Sequence, residues 1–189
     1  MKTFENIVDD VFVKEGDKYS APPANDQPTA RGGITLQTLI DFYKVQWPNA
    51  PTPTIEDLQR LTHEEARVIV EWKLYQLAAE MRLNTIFKES DNPLYLLLLD
   101  FGYNSGGPRA IRWFQRCLEV PASGEMDIVT VSTLMDLRKR VGGSIDRLLH
   151  QALIAARLQM VDMWADAPEN RKFEEGLENR VLSFSLLKV

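Results

Sequence analysis

The sequence predicts an all-α protein, on three observations. Apolar residues recur at three- and four-residue offsets along most of its length. Helix-start signals precede those runs at Thr35, Thr54, Thr62 and Asn92-Pro93. No stretch alternates apolar and polar residues long enough for a useful strand, and no internal repeat is present.

Phe4, Ile7, Val8, Val11 and Phe12 form one face of a first helix, which Gly16 stops. Glu15 continues that face. The segment from Tyr19 to Gly33 is a loop by composition, too long for a simple connector. Thr35 caps a second helix carrying Leu36, Leu39, Ile40, Tyr43 and Trp47, which Pro48, Pro51 and Pro53 break. Thr54 starts a short helix. Thr62-His63-Glu64-Glu65 is a capping box for a longer one through about Met81. Asn92-Pro93 opens a helix whose run Leu94–Leu99 is apolar on every side, so it is expected to be central and buried. Gly106-Gly107-Pro108 turns the chain into another helix, and a loop at Pro121–Asp127 follows. Helices are expected near Val131–Arg140, Ser144–Trp164 and Arg171–Leu182. Trp and Met residues on these stripes are expected in the core.

Composition narrows the function classes. The 189 residues, 44% hydrophobic and 26% charged, suffice for one well-buried domain or two small halves. A net charge of −5 without a basic stripe argues against nucleic-acid binding. The single cysteine, Cys117, makes no internal disulfide, and with only two histidines a His/Cys zinc site is not expected. No apolar run approaches the roughly 18 residues of a membrane span, and no secretory signal is visible at the start.

Glu15 is the ionisable residue of most interest. An apolar face would partly desolvate it, and a helix C-terminus adds a negative potential, so both effects favour the protonated carboxyl of a general acid. Asp17 and Asp26 are second carboxylates in the following loop, solvated by default, and Thr29 offers a hydroxyl. Glycoside hydrolysis commonly uses two carboxyl groups roughly 5–9.5 Å apart. Asp100 and Asn104 share a helix face at i, i+4, which suits a C-terminal cap with a local hydrogen bond. Gly32-Gly33 lacks the Lys-Ser/Thr ending of a phosphate loop. His63, in the first turn after a cap, is expected to be exposed.

In order, these pieces resemble glycoside hydrolase family 108, the muramidases related to phage endolysins. Glu15-Gly16-Asp17-Lys18-Tyr19 is similar to the Glu-Gly-Gly-Tyr-like stretch holding the family's catalytic Glu. Asp26, Pro28-Thr29 and Gly33-Ile34-Thr35 resemble its Asp-Pro-Gly-Gly-x-Thr-x-x-Gly-Ile-Thr, and Leu61-Thr62-x-Glu64-Glu65-Ala66 its Leu-Thr-x-Glu-Glu-Ala. Further on, Asp100-Phe101-Gly102-Tyr103-Asn104-Ser105-Gly106 is similar to the Asp-x-x-x-Asn-x-Gly signature of the accompanying peptidoglycan-binding region. Ala110 to Gln115, Asp127 with Thr133-Leu134, and Phe173-x-x-Gly176-x-x-Asn179-Arg180-Val181 continue it. The pattern departs at Asp17 and Gln27-Pro28, where the family has glycines, at Ile128 for Gly and at Leu177 for Trp.

The resemblance implies a lysozyme-like helical fold, with a catalytic half over 1–88 and a peptidoglycan-binding-like half over 89–189. It implies an N-acetylmuramidase that cleaves the β-1,4 bond between N-acetylmuramic acid and N-acetylglucosamine. Glu15 would be the general acid, and Asp26, or Thr29 with a water, the second group. Tyr19, Thr35, Tyr103 and Asn104 would contact the glycan strand, with Lys18 and Arg31 as a basic rim. No metal or cofactor is implied. The expected setting is a phage or prophage endolysin, made in the cytoplasm without a signal peptide and released to the wall through a holin as a monomer. The alternative is a non-catalytic peptidoglycan-binding or phage structural protein that keeps the fold.

Overall fold

The computed structural model describes residues 2–21, 28–88, 92–166, 171 and 174–185. The chain is mostly helical and divides into two units, Phe4–Gln76 and Leu77–Val189 with Met1–Thr3. Helix α4 (His63–Glu80) runs through the division.

In the first unit, α1 (Phe4–Glu15) buries Phe4, Ile7, Val8, Val11 and Phe12, the expected face. Strands β1 (Thr29–Ala30) and β2 (Ile34–Thr35) pair antiparallel, Thr29 with Thr35 and Ala30 with Ile34, around a 3-10 turn at Arg31–Gly33. Thr35 caps α2 (Leu36–Gln46), accepting from the Thr38 amide at 3.2 Å. Helix α3 (Ile55–Arg60) starts with a reciprocal Thr54–Asp57 capping box. At α4 the Thr62 amide donates to Glu65 at 2.9 Å, and the Glu65 amide to the Thr62 hydroxyl at 3.2 Å. Arg67 ties α4 to α1 through Glu5 and Asp9.

The second unit is organised around α5 (Pro93–Ser105). Asn92 caps it, accepting from the Leu94 amide at 2.9 Å, and every residue from Leu94 to Gly102 is buried. The expected central helix is therefore present. Gly102 and Gly107 lie where a Cβ would come within 3 Å of the Met81 side chain, so a larger residue there would have to displace it. Helix α6 (Gly107–Cys117) carries the buried Gln115, whose carboxamide organises the loop before α7. It accepts from the Gly124 amide at 2.9 Å and donates towards the Glu125 carbonyl at 2.8 Å. Helices α7 (Ile128–Val141), α8 (Ser144–Ala165) and α9 (Glu174–Leu182) follow. Among the described residues, no helix is long and apolar enough to cross a membrane.

Two expectations need correction. Helix α7 begins at Ile128 rather than near Val131, because the Asp127 carboxylate caps it, accepting from the Thr130 amide at 2.9 Å. Trp47, Met163 and Trp164 are exposed rather than core. Trp47 follows the end of α2, and Met163 and Trp164 lie in the last turns of α8.

The apolar run of α5 ends in a buried carboxylate. Asp100 is wholly buried and held by Arg157 of α8 at 3.0 Å and by Arg180 of α9, with Arg180 Nε at 2.9 Å. These two guanidinium groups hold its carboxyl below the usual carboxylate range against the cost of burial. Removing one partner of a buried ion cluster strands the others in a poor solvent. Asp100→Ala is expected to cost about 3–5 kcal/mol, measured by denaturant unfolding; a loss within the range of a surface substitution would contradict this.

His150 of α8 is 1% exposed, and burial pushes its pKa down to about 4 from the ordinary 6.5. The folded chain thus resists a proton that the unfolded chain takes up below pH 6.5. Stability is unaffected by this group above that value and falls as pH drops from 6.5 towards 4, by up to about 1.4 kcal/mol per unit. Thermal midpoints at pH 7.5 and pH 5 check this: His150→Gln is expected to lose less over that interval than the parent. Equal losses would exclude the histidine as the cause.

Candidate functional site

The expected proton donor sits at a corner of the first unit. Helix α1 ends at Glu15 because Gly16 takes a positive φ of 80°, its amide still bonding to the Phe12 carbonyl at 3.1 Å. The returning chain docks on this turn: the Gly32 amide donates to the Gly16 carbonyl at 2.9 Å. An isolated bridge between Ser20 and Thr29 closes the two ends of the loop.

Gly32 and Gly33 both have positive φ, 66° and 69°, and a side chain on either would press on its neighbours. A Cβ on Gly32 would meet Val70 at 3.0 Å and Phe12 at 3.1 Å. One on Gly33 would meet Cγ and Oε2 of Glu15 at 3.1 Å. The Glu15 side chain therefore lies directly over Gly33. Gly32 packs the turn on Phe12 and Val70, while Gly33 alone seats the Glu15 side chain, a role that the absence of a phosphate-loop signature left unread.

Glu15 itself is exposed, which corrects the expectation of a partly desolvated carboxyl. Its position continues the apolar stripe, but the helix stops there and a Cβ on Gly16 would meet nothing within 4 Å. Lys73 of α4, which sequence reasoning missed, is close enough for its charge to interact with Glu15. Burial pulls the Lys73 ammonium below the ordinary lysine range, and Glu15 opposes that shift. A lone lysine between Trp72 and Leu74 in an apolar stretch of α4 was the available signal.

Asp17 is half-exposed, and it is not an unattached second carboxylate. Its Oδ1 accepts from Arg31 at 2.9 Å and lies 3.0 Å from His63 Nδ1, and its carbonyl accepts from Arg31 at 2.6 Å. The contacts with His63 and Arg31 hold its carboxyl below the usual range. Arg31 also donates to the Leu61 carbonyl at 3.0 Å, so its guanidinium is engaged in holding the turn and does not form a basic rim. His63 is partly exposed and also stacks at a tilt on Phe12, ring centroids 4.7 Å apart. The residue standing where the resembling family has glycine is thus a clamp between the turn, the hairpin and α4.

Thr29 lies on β1, directly across from Thr35 on β2, and Tyr19 is half-buried next to the Ser20 bridge. The Thr35 hydroxyl is occupied in capping α2 and lies 3.0 Å from the Thr38 hydroxyl. Asp26 lies outside the described residues. Tyr103 and Asn104 end α5 in the other unit, where the Asn104 amide donates to the Asp100 carbonyl, the local cap expected from their spacing.

No family model and no curated protein matches the chain. Among solved structures it is similar to SagA of Brucella abortus, with 20% identity and a TM-score of 0.58, over 98% of this chain and 97% of that one. The two chains share a fold.

Gly33→Ala combines a strained φ with a tight contact to Glu15. It is expected to lower stability by about 1 kcal/mol or more, seen as a lower thermal midpoint. A variant as stable as the parent would show that the carboxyl does not need this seat.

Proposed function

We propose that the chain is a peptidoglycan hydrolase of the muramidase type, with Glu15 as its general acid. The observation that carries this reading is the Glu15 carboxyl, exposed at the end of α1 and seated on a glycine that leaves it room. The order of motifs resembling family 108 muramidases supports it, since the residue matching that family's catalytic Glu is the one so presented. The reading does not require a phage origin.

In the proposed reaction, the protonated Glu15 carboxyl gives its proton to the bridging oxygen as the bond from that oxygen to C1 of N-acetylmuramic acid breaks. An oxocarbenium-like centre develops at C1. A water adds to C1 and loses its proton to Asp26 as general base; in the alternative, Thr29 orients the water by accepting a hydrogen bond from it and the proton passes to solvent. Glu15 becomes anionic in this step, and the nearby Lys73 charge compensates the developing negative charge. A glycan strand lying across the corner excludes water from the exposed carboxyl at the moment of transfer.

Glu15→Gln keeps size and shape and removes the transferable proton. Turnover on purified sacculi is expected to fall by about a hundredfold or more. The thermal midpoint should hold, because the exposed side chain is not part of the core. A variant that cleaves as fast as the parent would remove Glu15 from the mechanism, and a parent without turnover would favour a binding protein that keeps the fold.

A further inference from the structure

The second unit holds a positive charge that its described side chains leave uncompensated. Asp100 supplies one negative charge, and Arg157 and Arg180 supply two positive ones, with side chains only 5% and 6% exposed. Both arginines spend donors on the same carboxylate. The Nε–H of Arg157 is buried and has no acceptor. A buried donor without a partner carries its full desolvation cost, and on a cation that cost is larger than on a neutral group.

Arg157 is also part of the wall of a cavity of about 320 Å³. Arg109 and Asn104 contribute polar groups to it, and Met160, Trp164 and Leu177 contribute apolar surface. No acidic residue is among its described lining residues. Asp162, Glu174 and Glu178 on the same two helices gather with one another and form no part of the wall. Trp164, 42% exposed, gives a flat face on which a ring or an acyl group can rest.

We propose that this cavity is a carboxylate-binding site, taking a small monoanionic acid that carries methyl or acetyl groups. One carboxylate in the cavity balances the excess charge of the arginine pair, lying against the part of Arg157 that lines the wall. Arg109 adds a second cation, and the body of the acid packs on Trp164 and Met160. The inference does not depend on Glu15 or on turnover. If the wall is the substrate, two of its constituents carry this chemistry: the lactyl carboxylate of muramic acid and the terminal carboxylate of a stem peptide.

The test uses the full parent chain titrated with N-acetylmuramic acid and with N-acetyl-D-alanyl-D-alanine, each against its own carboxamide. Binding is read by calorimetry and by the Arg157 Nε–Hε resonance. At least one acid is expected to shift that resonance and to bind at least about tenfold tighter than its amide. Which acid does so identifies the source. Arg109→Ala and Trp164→Ala, both at exposed positions, are expected to weaken binding several-fold with an unchanged thermal midpoint. An Arg157 resonance unmoved by both acids up to about 10 mM, or equal binding of acid and amide, would overturn the proposal. So would full affinity in both variants.

Discussion

The second unit depends on one constraint: a helix that is apolar on every side must be enclosed, and this one encloses a carboxylate with it. Six consecutive residues, Leu94 to Leu99, are at most 1% exposed, and Asp100 follows at 0%. A buried anion demands cations, which arrive from α8 and α9, 57 and 80 residues further on. Arg157 in turn lies over the Phe101 ring, 4.6 Å from its centroid. The cluster therefore sets which faces of α8 and α9 turn towards α5, and it leaves the surplus of charge beside the cavity at Trp164.

The first unit is governed by space rather than by charge. Three glycines at positive φ make the corner where α1 ends and the hairpin returns. Gly16 stops the helix and Gly32 lets the hairpin close on Phe12 and Val70. Gly33 leaves the gap that Glu15 fills. Asp17 then fastens the turn to Arg31 and His63, so the corner is held by a charged clamp on its outside and by close backbone packing within. A carboxyl so placed rests against Gly33 on one side and is exposed on the other. That combination lets a substrate supply the final enclosure, which is why exposure in the unliganded chain is compatible with acid catalysis.

Much of the architecture was legible because its causes are local. The stripe from Phe4 to Phe12, the capping residues Thr35, Thr54, Thr62 and Asn92, and the all-apolar run of α5 each announce an element within a few residues. What stayed hidden depends on distant partners. Asp100 reads as half of an i, i+4 pair with Asn104; the structure keeps that local bond for the backbone carbonyl and gives the carboxylate to two arginines no periodicity could select. Asp17 reads as a solvated loop acid until Arg31 and His63 are brought beside it. Lys73 drew no reading, because its neighbour Glu15 lies on another helix. The Glu15 position was legible from the stripe and the glycine stop, but its exposure was not, since that depends on what covers the end of α1.

Hydrolysis of the glycan strand at N-acetylmuramic acid, as proposed, leaves a distinctive product end. The most direct measurement is mass spectrometry of the soluble products from purified sacculi, with and without borohydride reduction. Fragments ending in a reducing N-acetylmuramic acid, converted by borohydride to the alditol, are expected. Fragments ending in N-acetylglucosamine, 1,6-anhydro ends that resist reduction, or no released fragments at all would contradict the proposed hydrolysis.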